Sequence, residues 1–364
     1  MTQRTKIGIP REVKPQEARV GLIPAAVSEL TRKGHVVFVE RDAGLLSGYA
    51  DEDYKAAGAR IAADADALYA SAQMIVKVKE PWGDELQRLR GDHLLFSYLH
   101  LAPNPELTRR LLEIGLTAIG FETVEEQGHL PLLAPMSDIA GRIAVHSGVQ
   151  YLQHPQQGRG VLLGGVAGAT RGTVVVLGGG IAGMAAAEVA AALGAEVTIF
   201  EKRYNKMPAL RALGANVTPL YPHADELQAA VRTADLLVGA VLIPGARAPH
   251  LVSAADVQRM QAGSVIVDIS VDQGGCVETT RPTTWDAPVF VDHGVLHFGV
   301  TNMPGAVPRT ASQALSAALT PYVERLAHTD WLKSPALRAG INVADGKLVH
   351  PALQDLSQDL SLGV

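Results

Sequence analysis

Thr173-Val-Val-Val-Leu177 runs without a break into Gly178-Gly-Gly180-Ile-Ala-Gly183, and Met184 opens an alanine-rich stretch to Leu193. The first five residues are β-favouring and apolar and read as a buried strand; the alanines read as a helix. Gly178 permits the tight turn between them, Gly180 lets the backbone approach a bulky anion, and Gly183 lets helix lie close on strand. The helix N-terminus then offers N–H donors and a positive dipole end to phosphate. A second strand, Glu196–Phe200, ends at Glu201, where an acid would accept the hydroxyls of a ribose. A Gly-x-Gly-x-x-Gly run alone is weak evidence. Strand, glycines, helix, strand and acid in this order specify a dinucleotide-binding βαβ unit.

The alternation extends to both sides. Downstream, Leu236–Ala240, Ser264–Ile269 and Val289–Val291 read as strands; upstream, so do Lys6–Pro10, Val36–Glu40, Met74–Val78, Leu94–Leu99 and Thr117–Phe121. Helices are expected at Pro24–Lys33, Asp51–Ala57 and Pro105–Ile114, with Pro24 in a first turn where its missing N–H is harmless. Strands alternating with helices imply a parallel sheet covered on both faces. Two longer helices, Asp138–Leu152 with Ser137 as N-cap and Thr310–Leu326, mark the crossings between two series. The expected fold is therefore α/β, with two Rossmann-like, doubly wound parallel-sheet domains. An NAD-binding domain, residues 132–308, is inserted into a discontinuous substrate domain, residues 1–131 and 309–364.

Composition agrees with such an enzyme. Across 364 residues, 47 % are hydrophobic, 19 % are charged and 36 are glycine, which suits buried strands with tight turns and argues against disorder. The net charge of −5 is small, and no Lys/Arg run offers a phosphate-backbone footprint, so nucleic acid is not an expected partner. A lone cysteine, Cys276, excludes a disulfide within the chain and a Cys-rich metal site, and no metal is expected. Met1–Pro10 enters the strand pattern without a leader-like apolar run. Thr173–Phe200, the stretch most like a membrane span, is interrupted by Glu188, Glu196 and the glycines. A cytoplasmic protein without a membrane partner is expected.

Further segments carry a family resemblance. Gly8-Ile-Pro-Arg-Glu-Val-Lys14 with Glu17-Ala-Arg-Val20, Lys77-Val-Lys-Glu-Pro81, Leu99-His-Leu101 and Leu132-Leu-Ala-Pro-Met-Ser137 resemble the alanine dehydrogenase / nicotinamide nucleotide transhydrogenase family. Gly239-Ala-Val-Leu-Ile-Pro-Gly245, Val267-Asp-Ile-Ser-Val-Asp-Gln-Gly-Gly275, Arg281-Pro-Thr-Thr284 and Asn302-Met-Pro304 are similar to the same group. The match runs over about residues 6 to 325 in order and spacing, and its most specific segments are Lys77–Pro81 and Val271–Gly275. The resemblance implies conversion of L-alanine, NAD⁺ and water to pyruvate, ammonia and NADH, reversibly, in a homohexamer.

Matching positions fit that chemistry. A guanidinium can hold a carboxylate bidentately, and Arg19 is the family match; Lys79 is a compact cation suited to polarising a carboxylate or keto oxygen. Imine hydrolysis after oxidation needs proton shuttling, for which His100 and Asp272 are the candidates at strand C-terminal ends. Which of the two is the principal base stays open. Asp268, inside a strand, reads as structural, and Cys276 as a small buried residue. Glu122 is placed to orient Lys79 or to sit as a rim carboxylate.

For the coenzyme, the resemblance implies contacts from Ser137, Gly178, Gly180, Ile181, Ala182 and Gly183, then from Glu201, Lys206, Val241 and Leu242. It adds Ile269, Ser270, Val271 and Asp272, and finally Arg281, Val300, Thr301, Asn302 and Met303. The chain departs from the family in having Glu201 for the commoner Asp, Lys202-Arg203 directly after it, and His223 where a Ser is expected near the adenine end. The transhydrogenase component would need no amino-acid pocket, and a non-enzymatic NAD sensor would lack part of the Arg19, Lys79, His100 and Asp272 set. The order among alanine, serine, 2-aminobutyrate and glycine as substrates is left open.

Overall fold

The computed structural model describes residues 4–241 and 248–354. Six strands come first: β1 (Lys6–Ile9), β2 (Val36–Glu40), β3 (Arg60–Ala62), β4 (Met74–Val76), β5 (Leu94–Ser97) and β6 (Thr117–Gly120). Then follow β7 (Thr173–Leu177), β8 (Glu196–Phe200), β9 (Val217–Leu220), β10 (Leu236–Gly239), β11 (Val265–Asp268), β12 (Val289–Asp292) and β13 (Val295–Phe298). The last two are β14 (Ile341–Ala344) and β15 (Lys347–Leu348). The chain divides into two compact units, residues 1–136 with 305–364 and residues 137–304.

The first unit holds a sheet in the order β15-β14-β6-β5-β4-β1-β2-β3. Strands β1 to β6 pair in parallel, and β14 joins β6 antiparallel. Ile7, Ile9, Val37, Val39, Ile75, Val76 and Leu95 are all fully buried, as strands covered on both faces require. The chain runs from β1 outward to β3, then crosses back over β1 to β4. That reversal opens a crevice beyond the carboxyl ends of β1 and β4, where the segments Glu12–Arg19 and Lys77–Glu80 emerge.

The second unit repeats the plan in the order β12-β13-β11-β10-β7-β8-β9. Strands β7 to β11 and β13 pair in parallel, and β12 closes the edge antiparallel to β13. Its reversal lies between β7 and β10, so Gly178 and Val241 face the crevice at their carboxyl ends. The α/β, doubly wound class expected from the sequence is what the chain forms.

Several boundaries differ from expectation. The helix expected from Asp138 begins at Ala134 and runs to Tyr151, so Ser137 is inside the first turns and is not an N-cap. Pro135 explains the earlier start, since proline is at ease where no N–H is needed. The helix after the glycines likewise begins at Ile181, with Gly180 as its N-cap residue, three residues before Met184. β3, β9, β13, β14 and β15 were not foreseen; each is four residues or fewer, and Pro219 lies inside the edge strand β9. Two of the hairpins carry a readable signal: Asp345-Gly346 and His293-Gly294 take φ of 50°, 69°, 49° and 76°, the left-handed pair of a two-residue turn.

Candidate active site

Each glycine of the Gly178–Gly183 turn has a distinct physical reason. Gly178 stands at φ 97°, and a Cβ there would lie 2.6 Å from the Ala240 carbonyl oxygen. A Cβ on Gly183 would overlap the Gly178 carbonyl oxygen, so close packing of helix on strand demands glycine. Gly180 is different: a Cβ there would meet nothing within 4 Å among the described residues. Packing does not require glycine at that position, whereas a pyrophosphate laid against the helix N-terminus would. Ile181 beside it is 42 % exposed.

Glu201 follows β8 and is nearly buried. Its carboxylate accepts the Arg203 backbone N–H at 2.9 Å, and the Arg203 side chain lies on it at 3.3 and 3.4 Å. Burial would raise its pKa; Arg203 and Lys206 more than offset that and hold it below the ordinary carboxylate range. Lys206 Nζ reaches the Gly179 carbonyl at 3.5 Å, beside the phosphate turn. His223 is the exposed residue preceding helix Ala224–Thr233, its ring 4.9 Å from that of Tyr221. The residues present thus fit a dinucleotide.

Among the other coenzyme candidates, Val271, Val300 and Met303 are buried at 4, 1 and 3 %, which leaves their backbones to meet a ligand. Ser270 donates its hydroxyl to the Val241 carbonyl at 2.7 Å, tying β11 to β10. Arg281 is exposed, with its guanidinium 4.3 Å from the Phe290 ring centre. Ser137, Ala182, Ile269, Thr301 and Asn302 are half-buried, Asn302 at φ 56°. Leu242 lies outside the described residues.

Asp268, last in β11, accepts backbone N–H groups of Ser270, Cys276 and Val277 at 2.9, 2.8 and 3.1 Å. It thereby fixes the loop on which Asp272 is carried, exposed, on the single turn Ile269–Gln273. Cys276 is fully buried and its thiol pKa is pushed up by burial, which suits a small core residue and not a nucleophile.

In the first unit the four segments after β1, β4, β5 and β6 meet. Arg19 is 2 % exposed, and Glu17 holds its Nε at 2.7 Å and its Nη2 at 2.5 Å, with Met136 Sδ 3.0 Å from Nη1. Burial alone would lower the Arg19 pKa, but the Glu17 hydrogen bonds and charge raise it. The bidentate fork expected to meet a substrate carboxylate is therefore engaged by an internal one. Ser312 and Ser316 of helix Pro308–Leu326 accept the N–H groups of Val20 and Ile23 at 3.0 and 3.1 Å and fix the segment.

Lys77 and Lys79 part company. Lys77 is fully buried between Glu12 at 3.1 Å and Glu85 at 3.2 Å and is structural. Glu12 also accepts the N–H groups of Val78 and Lys79 at 2.6 and 3.3 Å, so it anchors the strand end that presents Lys79. The Lys79 ammonium has no hydrogen-bond acceptor among the described residues. Burial, then the charge of Arg19, push its pKa below that of an ordinary lysine.

His100 stands at φ 46°, exposed, with its ring stacked 5.8 Å from that of Tyr98. Tyr98 is buried, donates its hydroxyl to the Leu132 carbonyl at 2.7 Å and packs edge-on against Phe121. Glu122 does not turn to Lys79. Its carboxylate accepts the N–H groups of Leu99 at 3.0 and 3.2 Å and of His100 at 2.7 Å. Sequence reasoning did not single out Glu17, Glu12 or Tyr98; only for Glu17 was a signal present, an acid two residues before Arg19 on the same side of an extended segment.

Two doubly wound units, one with a phosphate turn closed by an acid and the other bringing Arg19, Lys79 and His100 beyond the ends of neighbouring strands, define a dinucleotide-dependent oxidoreductase. Residues 8–140 and 144–351 match the N-terminal and C-terminal domains of "Alanine dehydrogenase/PNT", and the chain belongs to this family. It is 46 % identical to the alanine dehydrogenase of Mycolicibacterium smegmatis over 98 % of this chain and 97 % of that one. A solved L-alanine dehydrogenase superposes with a TM-score of 0.94 at 51 % identity, covering 98 % of this chain and 99 % of that one. A transhydrogenase from Sinorhizobium meliloti superposes at 0.82 with 27 % identity, over 95 % and 99 %.

Proposed function

We propose that this chain catalyses the reversible, NAD-dependent oxidative deamination of L-alanine to pyruvate and ammonia. One observation carries the reading. In a chain matched nearly end to end by alanine dehydrogenases, Arg19, Lys79 and His100 gather in one unit around Tyr98, with Arg19 acting electrostatically on both Lys79 and Tyr98.

Lys79 forms no ion pair with a carboxylate among the described residues. It binds the carboxylate or keto oxygen, and its lowered pKa makes it a stronger hydrogen-bond donor there. Arg19, its charge balanced by Glu17, positions the same carboxylate through its outer edge. When bound, NAD⁺ would supply the acceptor for the hydride of the alanine α-carbon. His100 takes a proton from the water that adds to the resulting imine and returns one to the departing nitrogen, and Asp272 is the second proton-transfer group. Gly180 and the helix N-terminus receive the pyrophosphate, and Glu201 the adenosine ribose.

The family resemblance supports a homohexamer of this chain in the cytoplasm. Among the described residues no helix is long and apolar enough to cross a membrane. NADH formation with millimolar L-alanine at alkaline pH tests the function, and its absence overturns it. Light scattering after size-exclusion chromatography tests the assembly.

A further inference from the structure

Glu80 carries the only buried carboxylate oxygen among the described residues that no donor reaches. Three other buried acids of this unit, Glu12, Glu85 and Glu17, have both oxygens engaged. Glu12 receives Val78 and Lys77, Glu85 receives Tyr69 and Trp82, and Glu17 receives two edges of Arg19. Glu80 is 4 % exposed. Lys14 pairs with its Oε1 and leans over the Trp82 ring at 5.4 Å, while Oε2 is left with nothing. Burial would neutralise this acid; Lys14, Lys79 and His100 keep it ionised instead. A buried, charged acceptor without a donor is costly, and it persists where a donor arrives from outside.

The charges acting on Glu80 include Lys79 and His100, the residues assigned above to the substrate oxygen and to proton transfer. Arg19 and Lys79, the residues assigned to the keto acid, suit its carboxylate and oxygen, and neither suits a cation. Lys79 repels ammonium, and neither it nor Arg19 offers it an acceptor. Ammonium brings four N–H donors and a positive charge, which is what an ionised oxygen lacking a donor binds best.

We propose that Glu80 is the ammonium-binding residue of this site, its Oε2 accepting an N–H of the ion; this rests on the alanine reading above. Lys14 holds the opposite oxygen and so aims the carboxylate. An ordered water on Oε2 is the competing occupant, and kinetics separates the two.

The test is reductive amination followed by NADH consumption at fixed pH, with ammonium chloride and pyruvate varied separately. Glu80→Gln should raise KM for ammonium about 10- to 100-fold, with KM for pyruvate and NADH within about threefold of the unmodified protein. Glu80→Asp, which keeps the charge but withdraws it, should show the same split at smaller size, and it serves alone if Glu80→Gln does not fold. An unchanged KM for ammonium, or an equal rise for ammonium and pyruvate, overturns the assignment and leaves water as the occupant. If the unmodified protein consumes no NADH with pyruvate and ammonium, the alanine reading itself has failed.

Discussion

The Glu122 carboxylate accepts the His100 backbone N–H at 2.7 Å while His100 is held at φ 46°. A non-glycine residue in that region is strained by about 1–3 kcal/mol and persists only when its surroundings over-determine it. Here the bonds to Leu99 and His100 and the stacking on Tyr98 do so. The strained backbone leaves His100 exposed beyond the end of β5, where the proposed proton transfer would need it.

Glu122→Ala should therefore lower kcat about 10- to 100-fold with little change in KM for NAD⁺, because the imidazole is misplaced and not removed. Glu122→Gln keeps an oxygen acceptor and should recover most of the loss. Equal kcat in both variants and in the unmodified protein would separate Glu122 from His100.

Arg19→Ala takes the guanidinium from buried Glu17, although the backbone N–H at position 19 still reaches it, and breaking such a buried ion pair typically costs about 3–5 kcal/mol. The single variant should melt well below the unmodified protein. Adding Glu17→Gln should restore much of that stability while KM for pyruvate stays raised about tenfold or more. Thermal melts and pyruvate kinetics on the three proteins decide it. Recovery of both properties together would make Arg19 a purely structural residue.

Lys79 acts as a cation, and its pKa is depressed by burial and by Arg19. A depressed pKa means that the proton is lost at lower pH than from an exposed lysine. kcat/KM for pyruvate should accordingly fall on the alkaline side, starting below the range where ordinary lysines titrate. Lys79→Arg, which stays charged, should move that limb to higher pH. A pH profile in which the limb does not move with this substitution would show that another group causes it.

The glycines of the phosphate turn separate fold from ligand. Gly183→Ala overlaps the Gly178 carbonyl and should destabilise the protein by about 3 kcal/mol or more. Gly180→Ala meets open space, so the fold should survive while KM for NAD⁺ rises about tenfold or more. Unchanged KM in folded Gly180→Ala protein would place the pyrophosphate elsewhere.

These contrasts show what the sequence could and could not reveal. Period, glycine spacing and the acid after β8 made both sheets and the coenzyme turn readable, because each rests on local backbone chemistry. The contacts of Glu17 and Glu122 and the setting of Glu80 were not readable. They depend on which segment a side chain faces across the ends of different strands, as when Glu122 after β6 reaches the end of β5. Lys77 and Lys79 share one motif and two residues of spacing, yet one is walled in by Glu12 and Glu85 and the other forms no ion pair among the described residues. Short strands such as β3 and β15 carry too few residues for a period to register.

Coenzyme choice turns on Glu201 and Arg203. Glu201 should accept the ribose hydroxyls of NAD⁺ and repel the 2′-phosphate of NADP⁺, a preference of about ten- to a thousandfold for a carboxylate facing a phosphate at short range. Arg203 lies on that carboxylate at 3.3 and 3.4 Å, with 60 % of its side chain exposed. It is thus a mobile, solvated arm already beside the position where a 2′-phosphate would stand. While paired it competes with the ribose for Glu201, and once released it can swing to the phosphate. Measurable NADP⁺ use beside a clear NAD⁺ preference is the expected result. Glu201→Ala removes the repulsion and frees Arg203, so the ratio of kcat/KM values should narrow or invert. Adding Arg203→Ala should take most of that gain away, while Arg203→Ala alone should improve KM for NAD⁺ and reduce NADP⁺ use. The measurement is kcat/KM for both coenzymes in the four proteins. A ratio unmoved by Glu201→Ala would mean that another residue meets the ribose.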